Sequence, residues 1–234
     1  MTAVTLPERI DLVLCDVGGP IYTDDNFTSA VRLALDEIRA VQGGPPVDPA
    51  RFDAIYADVC ARQSGGLRRT LARELLGDAS LKDELHRRTG AHWTHPPGTA
   101  YPDALRLFQR LHGRVQLGVV ANQEAATVDA LKRDGFGDLI TIWGISALVG
   151  LEKPSPELFG WALEQAGTSA EHAVHIGNRL DTDVRPARAL GMGTVWVVRG
   201  EAPQVPTPEQ VLEADLTVSD LTGVADHLLR RVAA

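Results

Sequence analysis

The stretch LVLCDVGGPIYTDDNF, residues 12–27, decides the fold that we predict for this chain. Four apolar residues lead into Asp16, and a Gly-Gly-Pro turn follows at 18–20. An apolar run without polar alternation is typical of a parallel strand that is buried on both faces. In such sheets ligands bind beyond the carboxyl ends of the strands, so an aspartate at this point is a candidate site residue.

Further apolar runs follow the first strand and alternate with amphipathic stretches. The runs are RVQLGVVAN (114–122), LITIWGIS (139–146), HAVHIGN (172–178) and GTVWVV (193–198). The amphipathic stretches end at glycine, a common helix C-cap, and cover 103–113, 124–135 and 155–167. Strand–helix alternation predicts an α/β fold with a Rossmann-like, doubly wound parallel sheet.

Residues 28–92 interrupt this alternation because they contain helical patterns and no convincing strand. Four helices are indicated, by SAVRLALDEIRAVQG, PARFDAIYADVCARQ, LRRTLARELLG and LKDELHRRTG. Turn-rich segments bound them on both sides. We therefore predict a small all-helical domain at 23–95, inserted after the first strand of a core formed by 1–22 and 96–234.

Composition excludes several classes of function. The 234 residues are 44% apolar, which supports a substantial core, and the formal net charge is −8. An acidic chain without a basic patch argues against nucleic-acid binding. The two cysteines form no CxxC pair, which argues against a cysteine zinc site. Because no apolar run approaches membrane length and the N-terminus has no apolar signal region, we expect a cytoplasmic protein without a membrane partner.

Polar side chains follow the predicted strands at their carboxyl ends. They are Asp16, Asn122, Lys153, Asn178, Asp181 and Asp183. Since the carboxyl ends of parallel strands meet at one edge of a sheet, we expect these groups to converge. A carboxylate nucleophile beside a lysine is a known arrangement for covalent displacement.

Four motifs in order make the chain resemble the haloacid dehalogenase (HAD) superfamily with a helical cap. They are LCDVGGP, VVANQ, GLEKPSPELF and IGNRLDTDVRPARALGM, and the resemblance spans nearly the whole chain. It implies a hydrolase that acts on a small anionic substrate, here a small phosphate ester or anhydride. It also implies that Asp16 attacks the substrate and forms a covalent intermediate, that Lys153 stabilises anionic charge, and that Asp183 is the last acid of the fourth motif.

The same resemblance implies a Mg²⁺ ion and a set of substrate-binding groups. The metal ligands would be Asp16, the Gly18 carbonyl, Asn178 and Asp183. The substrate would meet Asn122, Gly18 and Gly19. In the cap, a recognition loop is expected at QSGG, which Arg68 and Arg69 follow; arginine is suited to bidentate binding of phosphate or carboxylate.

The sequence departs from the phosphatase motifs at four positions. Gly18 replaces the general acid and base, Pro20 the usual threonine, Ala121 the hydroxyl of the second motif, and Asn178 the first aspartate of the fourth. General acid–base help is worth about 10²–10⁴ in rate, so poor leaving groups should suffer most. An uncharged Asn178 should also weaken Mg²⁺ binding, because Mg²⁺ prefers carboxylates.

These departures leave two alternatives to a phosphatase open. Metal-free 2-haloacid dehalogenases carry an Asn-x-x-Asp fourth motif, and NRLD from Asn178 to Asp181 fits it. In that reading Asp16 displaces halide, and Asp181 or Asp183 activates water. The other alternative is a HAD-like binding protein that kept the pocket and lost the chemistry.

Overall fold

A computed structural model describes residues 6–232. The chain divides into two compact units, with boundaries between Thr23 and Asp24 and between His95 and Pro96. One unit contains a parallel sheet and the other is helical. Within the described residues, no helix combines the length and the apolar character needed to cross a membrane.

The sheet unit is built on six parallel strands in the order β3-β2-β1-β4-β5-β6. The strands are β1 Leu12–Cys15, β2 Gln116–Ala121, β3 Ile142–Ile145, β4 Ala173–Gly177, β5 Gly193–Val197 and β6 Leu216–Val218. The predicted doubly wound α/β sheet is confirmed. The sixth strand was not predicted, because its three residues are too few to carry a periodic pattern.

Helices cover both faces of this sheet. They are α5 Pro102–Leu111, α6 Thr127–Arg133, α7 Ser146–Val149, α8 Pro156–Ala166, α9 Arg185–Ala189, α10 Pro208–Val211 and α11 Val224–Leu229. Successive side chains of β1 point to opposite faces. Val13 and Cys15 therefore join a core cluster with residues of α5 and α11, whereas Leu12 and Leu14 join one with α8. Burial on both faces explains why β1 is apolar throughout.

The helical unit contains the four helices that the sequence predicts between 28 and 92. They are α1 Asp25–Val41, α2 Pro49–Arg62, α3 Leu67–Leu76 and α4 Lys82–His92. Asp48 caps α2 by accepting from the Ala50 N–H, and Gly77 ends α3 with a left-handed φ of 78°. The apolar faces enclose a cluster that includes Val31, Leu35, Phe52, Leu71 and Leu85.

Candidate active site

The central strand β1 positions the first site residue. β1 lies between β2 and β4, and Cys15 is in register with Val119 and Ile176. The Asp16 N–H continues this pairing by donating to the Ile176 carbonyl at 2.8 Å. Asp16 is thus held at the middle of the carboxyl edge of the sheet, where the sequence predicts a site.

Three charged residues that are far apart in the sequence meet there. Lys153 lies in the loop between α7 and α8, and Asp183 in the turn of π-helix, Leu180–Val184, that follows β4. The Lys153 Nζ is 2.9 Å from Asp16 Oδ1 and 2.5 Å from Asp183 Oδ1. The structure therefore brings three of the predicted catalytic residues together around one ammonium group.

Asp183 is the most enclosed member of the trio. Its side chain has no solvent exposure. Oδ1 accepts from Lys153 and from His175 Nε2, at 3.2 Å, and Oδ2 accepts from the Arg179 N–H at 3.0 Å. Three donors compensate the burial of its charge. Gly177 allows this approach, since a Cβ there would lie 2.3 Å from the Asp183 Cβ.

The three groups differ in charge state. Burial raises the pKa of Asp16 to about 7, with Lys153 opposing the shift and Asp183 adding to it. Burial also favours a neutral Asp183, but the charge of Lys153 and the His175 hydrogen bond outweigh it and lower the pKa of Asp183. For Lys153 burial lowers the pKa, but the two carboxylates outweigh it and raise the pKa above its usual value. Near neutral pH the site thus holds a fixed anion, a fixed cation and an Asp16 carboxyl that titrates.

Asn122 positions the lysine. Its Nδ2 donates to the Lys153 carbonyl at 2.8 Å, and its Oδ1 accepts from the Lys153 N–H at 2.7 Å. Asn122 follows β2, so this pair of hydrogen bonds ties the Lys153 loop to the end of a central strand. The predicted substrate-binding role of Asn122 stays a prediction; what the geometry contains is a support for the ammonium group.

The turn after Asp16 depends on one glycine. Gly19 has a φ of 84°, in the region that favours glycine, and its N–H donates to the Tyr22 carbonyl at 2.9 Å. A Cβ at this position would lie 2.0 Å from Asn178 Nδ2. Gly19 is therefore required by the backbone conformation and by the close packing of the Asn178 side chain. Gly18 is half-buried and does not have a positive φ.

Asp181 lies outside the trio. Its two oxygens accept from Arg179 Nε at 2.9 Å and from Arg179 Nη2 at 2.8 Å. This pair occupies both oxygens of the Asp181 carboxylate. The predicted part of Asp181 in water activation stays a prediction.

Arg68 and Arg69 belong to the helical unit. Arg68 is half-buried, with its guanidinium carbon 5.9 Å from the centre of the Phe27 ring, and Arg69 is exposed. Together with burial, the charge of Arg68 lowers the pKa of His86 to about 4. Arg68 thus adds positive potential inside the helical unit, and its predicted contact with substrate stays a prediction.

The predicted metal ligands do not form a complete Mg²⁺ site. Asp16 keeps some solvent exposure, but Asp183 is enclosed by three protein donors. Asn178 is neutral, and its Nδ2 donates to the Arg199 carbonyl at 3.2 Å. Across residues 6–232, no three His, Cys, Asp or Glu side chains are grouped so that they could hold a metal. The Mg²⁺ requirement stays a prediction for experiment.

Two contributors to the site were missed at the level of the sequence. His175 in β4 is buried, and its Nε2 donates to Asp183 Oδ1. Burial lowers its pKa, so it is a neutral donor. Arg199, just after β5, hydrogen-bonds to the Gly19 carbonyl at 2.9 Å and was not singled out. For His175 the sequence offers one signal, its position two residues before the Gly177-Asn178 pair. For Arg199 the sequence offers no such signal.

The trio is suited to displacement by a carboxylate. The ammonium group of Lys153 can balance the charge of an anionic substrate beside Asp16, and Asp183 keeps that ammonium protonated and in place. The side chain that would protonate a leaving group is absent at position 18. The arrangement thus supports nucleophilic attack and gives little help to the departing group.

Comparison with known proteins identifies the family and names several phosphatases among the relatives. A model of the family described as haloacid dehalogenase-like hydrolase matches residues 10–191. Phosphoserine phosphatase from Thermus thermophilus is 30% identical over 75% of this chain and 70% of its own length. Glyceraldehyde 3-phosphate phosphatase from Methanocaldococcus jannaschii is 32% identical over 54% of this chain and 55% of its own, so the chain spans about half the length of that relative. A haloacid dehalogenase-like family hydrolase from Streptococcus pneumoniae has the same fold, with a TM-score of 0.68 and 15% identity over 93% of this chain and 98% of its own.

Proposed function

Because the chain belongs to the haloacid dehalogenase-like hydrolase family, we propose that it hydrolyses a small phosphate ester or anhydride through a covalent intermediate on Asp16. The observation that carries the proposal is the contact between Asp16 and a buried Lys153 at the end of the central strand, with Asp183 on the other side of the ammonium group. Two relatives named as phosphatases support the phosphate class of substrate.

The reaction takes two displacement steps at phosphorus. In the first, an Asp16 oxygen forms a bond to phosphorus, and the bond to the leaving-group oxygen breaks with its electron pair going to that oxygen. In the second, a water oxygen attacks phosphorus, the bond to Asp16 breaks, and the carboxylate is regenerated while the proton of the water passes to solvent. Lys153 balances the negative charge in both steps.

Gly18 decides which substrates are favoured. With no carboxyl at this position, the leaving oxygen takes its proton from water, so a group that leaves easily is converted faster. We therefore expect acyl and aryl phosphates to exceed alkyl phosphates in kcat. Substrate selection by Arg68 and Arg69 of the cap is part of this proposal, since an arginine can bind a second anionic group.

The test is phosphate release from acyl, aryl and alkyl phosphates, each with Mg²⁺ and with EDTA. Asp16→Asn should abolish release, because an amide is not a competent nucleophile here. Asp226→Asn is the matched control: it removes an exposed carboxylate on α11 that pairs with Arg110. Full activity in Asp16→Asn would exclude the mechanism.

Further assays distinguish the proposed phosphatase from a metal-free dehalogenase and from a binding protein without activity. Halide release from 2-haloacids that is indifferent to EDTA, with no phosphate release, would replace the proposal by dehalogenation. A melting temperature raised by inorganic phosphate without turnover of any substrate would identify a binding protein. Phosphate release that needs Mg²⁺ would confirm the metal as well as the substrate class.

A further inference from the structure

Arg199 connects the turn after the nucleophile to the start of α5. Its Nε donates to the Gly19 carbonyl at 2.9 Å and its Nη2 donates to the Pro20 carbonyl. Its Nη1 donates to Asp103 Oδ2 at 2.8 Å. The guanidinium carbon lies 3.9 Å from the centre of the Tyr101 ring, and the side chain is only 12% exposed. The planar fork of one arginine thus fixes two consecutive carbonyls, a geometry that lysine cannot reproduce.

Asp103 holds the other side of this arrangement. The same Oδ2 that accepts from Arg199 also accepts from the Leu221 N–H at 2.7 Å. The carboxylate is buried and its charge is balanced by the guanidinium. Arg199 is therefore anchored to α5 and to the segment before α11, so it cannot follow a movement of the turn.

Asn178 also contacts Arg199, by a hydrogen bond to its main chain. Its Nδ2 donates to the Arg199 carbonyl at 3.2 Å while the side chain packs on Gly19. The Asn178 carbonyl in turn accepts from Trp196 Nε1 at 2.9 Å. An ionised aspartate at 178 has no proton to donate, so it would place a charged oxygen against the Arg199 carbonyl.

We propose that Arg199 and Asn178 form a clamp that positions the turn following Asp16, and that Asn178 serves there as a hydrogen-bond donor instead of a metal ligand. The effect on rate rests on the proposed function; the clamp itself is a statement about the fold. Asp16 lies three residues before Gly19, and a displaced turn displaces its carboxylate from the line of attack. A misplacement of about 1 Å can cost about 10² in rate.

The first experiment measures kcat and KM for Arg199→Lys and Arg199→Ala on the best aryl or acyl phosphate. We expect kcat to fall by about 10² in both variants with KM changed by less than about threefold, because the clamp acts on the nucleophile and not on substrate binding. Added guanidinium ion at millimolar concentration should recover part of the kcat of Arg199→Ala, and none of the activity of Asp16→Asn. The matched control is Arg110→Lys, which alters an exposed pair with Asp226 on the same unit and should keep wild-type kcat. An unchanged kcat in Arg199→Ala would overturn the proposal.

The second experiment does not depend on turnover. Solvent exchange of the Arg199 Nε–H, followed by ¹⁵N NMR, should be at least tenfold slower than that of Arg110, whose Nε makes no hydrogen bond in the described chain. Asn178→Asp should speed the Arg199 exchange and lower kcat, with and without Mg²⁺. Exchange as fast as in Arg110 would refute the clamp even in an active enzyme, whereas slow exchange without turnover would refute only the proposed function. A rise in kcat and in Mg²⁺ affinity in Asn178→Asp would return position 178 to the metal site and overturn the donor role.

Discussion

Replacing Lys153 with methionine tests the charge balance of the site most directly. Methionine keeps the unbranched shape of the side chain and removes only the ammonium group. Asp16 Oδ1 and Asp183 Oδ1 both contact that nitrogen, at 2.9 and 2.5 Å, so the two oxygens are no more than about 5.4 Å apart. Two unit charges within that distance repel by at least about 3 kcal/mol at an effective dielectric constant of 20. Losing one partner of a buried ion pair costs about 3–5 kcal/mol, and we expect Lys153→Met to lose that much free energy of unfolding at pH 8.

The difference in unfolding free energy between Lys153→Met and the wild type should become smaller as the pH falls. In the wild type the folded pKa of Asp16 is about 7, already above its unfolded value. Without the ammonium group it rises further, so the folded variant takes up a proton between pH 8 and pH 5 that the unfolded chain does not. A group whose pKa is raised on folding contributes stability that is lost as pH rises through the folded pKa. The wild-type Asp16 takes up the same proton below pH 7, so proton uptake differs between the two proteins only above pH 7, where one pH unit is worth about 1.4 kcal/mol. The pH 8 difference should therefore shrink by about 1 kcal/mol, with more than half of it remaining at pH 5.5.

Urea denaturation followed by tryptophan fluorescence measures the loss of unfolding free energy in Lys153→Met at pH 8 and at pH 5.5. Lys132→Met is the matched control, because Lys132 is an exposed residue of α6 and its replacement should change the urea midpoint little at either pH. Equal midpoints of Lys153→Met and wild type at pH 8 would refute the reasoning. A difference that grows as the pH falls would refute it as well, since the sign follows from the raised pKa of Asp16.

Three further predictions concern Asp16 and the turn that follows it. Gly18→Asp should raise kcat on alkyl phosphates by up to about 10², because the φ of Gly18 is not positive and the missing acid limits poor leaving groups in the proposed reaction. No gain in a steady-state assay would contradict this. In the proposed mechanism only ionised Asp16 attacks, so kcat/KM should rise with pH through about 7. The Asp16 carboxyl ¹³C shift should titrate at the same pH; a shift that is constant from pH 5 to pH 9 would disprove it. Gly19→Ala should lose about 1–3 kcal/mol of unfolding free energy from the strained φ, and more from the clash with Asn178. Gly191→Ala is the control, because Gly191 has a φ of 89° in open space and should show the strain alone. Equal urea midpoints of the two variants would count against the close packing at Gly19.

Much of the fold was predictable from local pattern. Apolar runs without alternation indicated five parallel strands, and the helical patterns between 28 and 92 correspond to four helices of the structure. These features are predictable because burial on both faces and helical periodicity leave marks within a few residues of each other. β6 was not predicted, because Leu216–Val218 is a strand through its pairing with β5 and not through its own composition.

The sequence by itself determined which chemical groups stand at the strand ends, including Asp16, Lys153 and Asp183, and which acids are missing. Only the tertiary structure decided how these groups are used. The ammonium group lies between two carboxylates, His175 serves Asp183, and Asn178 donates to a carbonyl. The hydrogen bond between Arg199 and Gly19 spans 180 residues of chain. Such contacts leave no local pattern, because they depend on the order in which distant strands are placed side by side in the sheet.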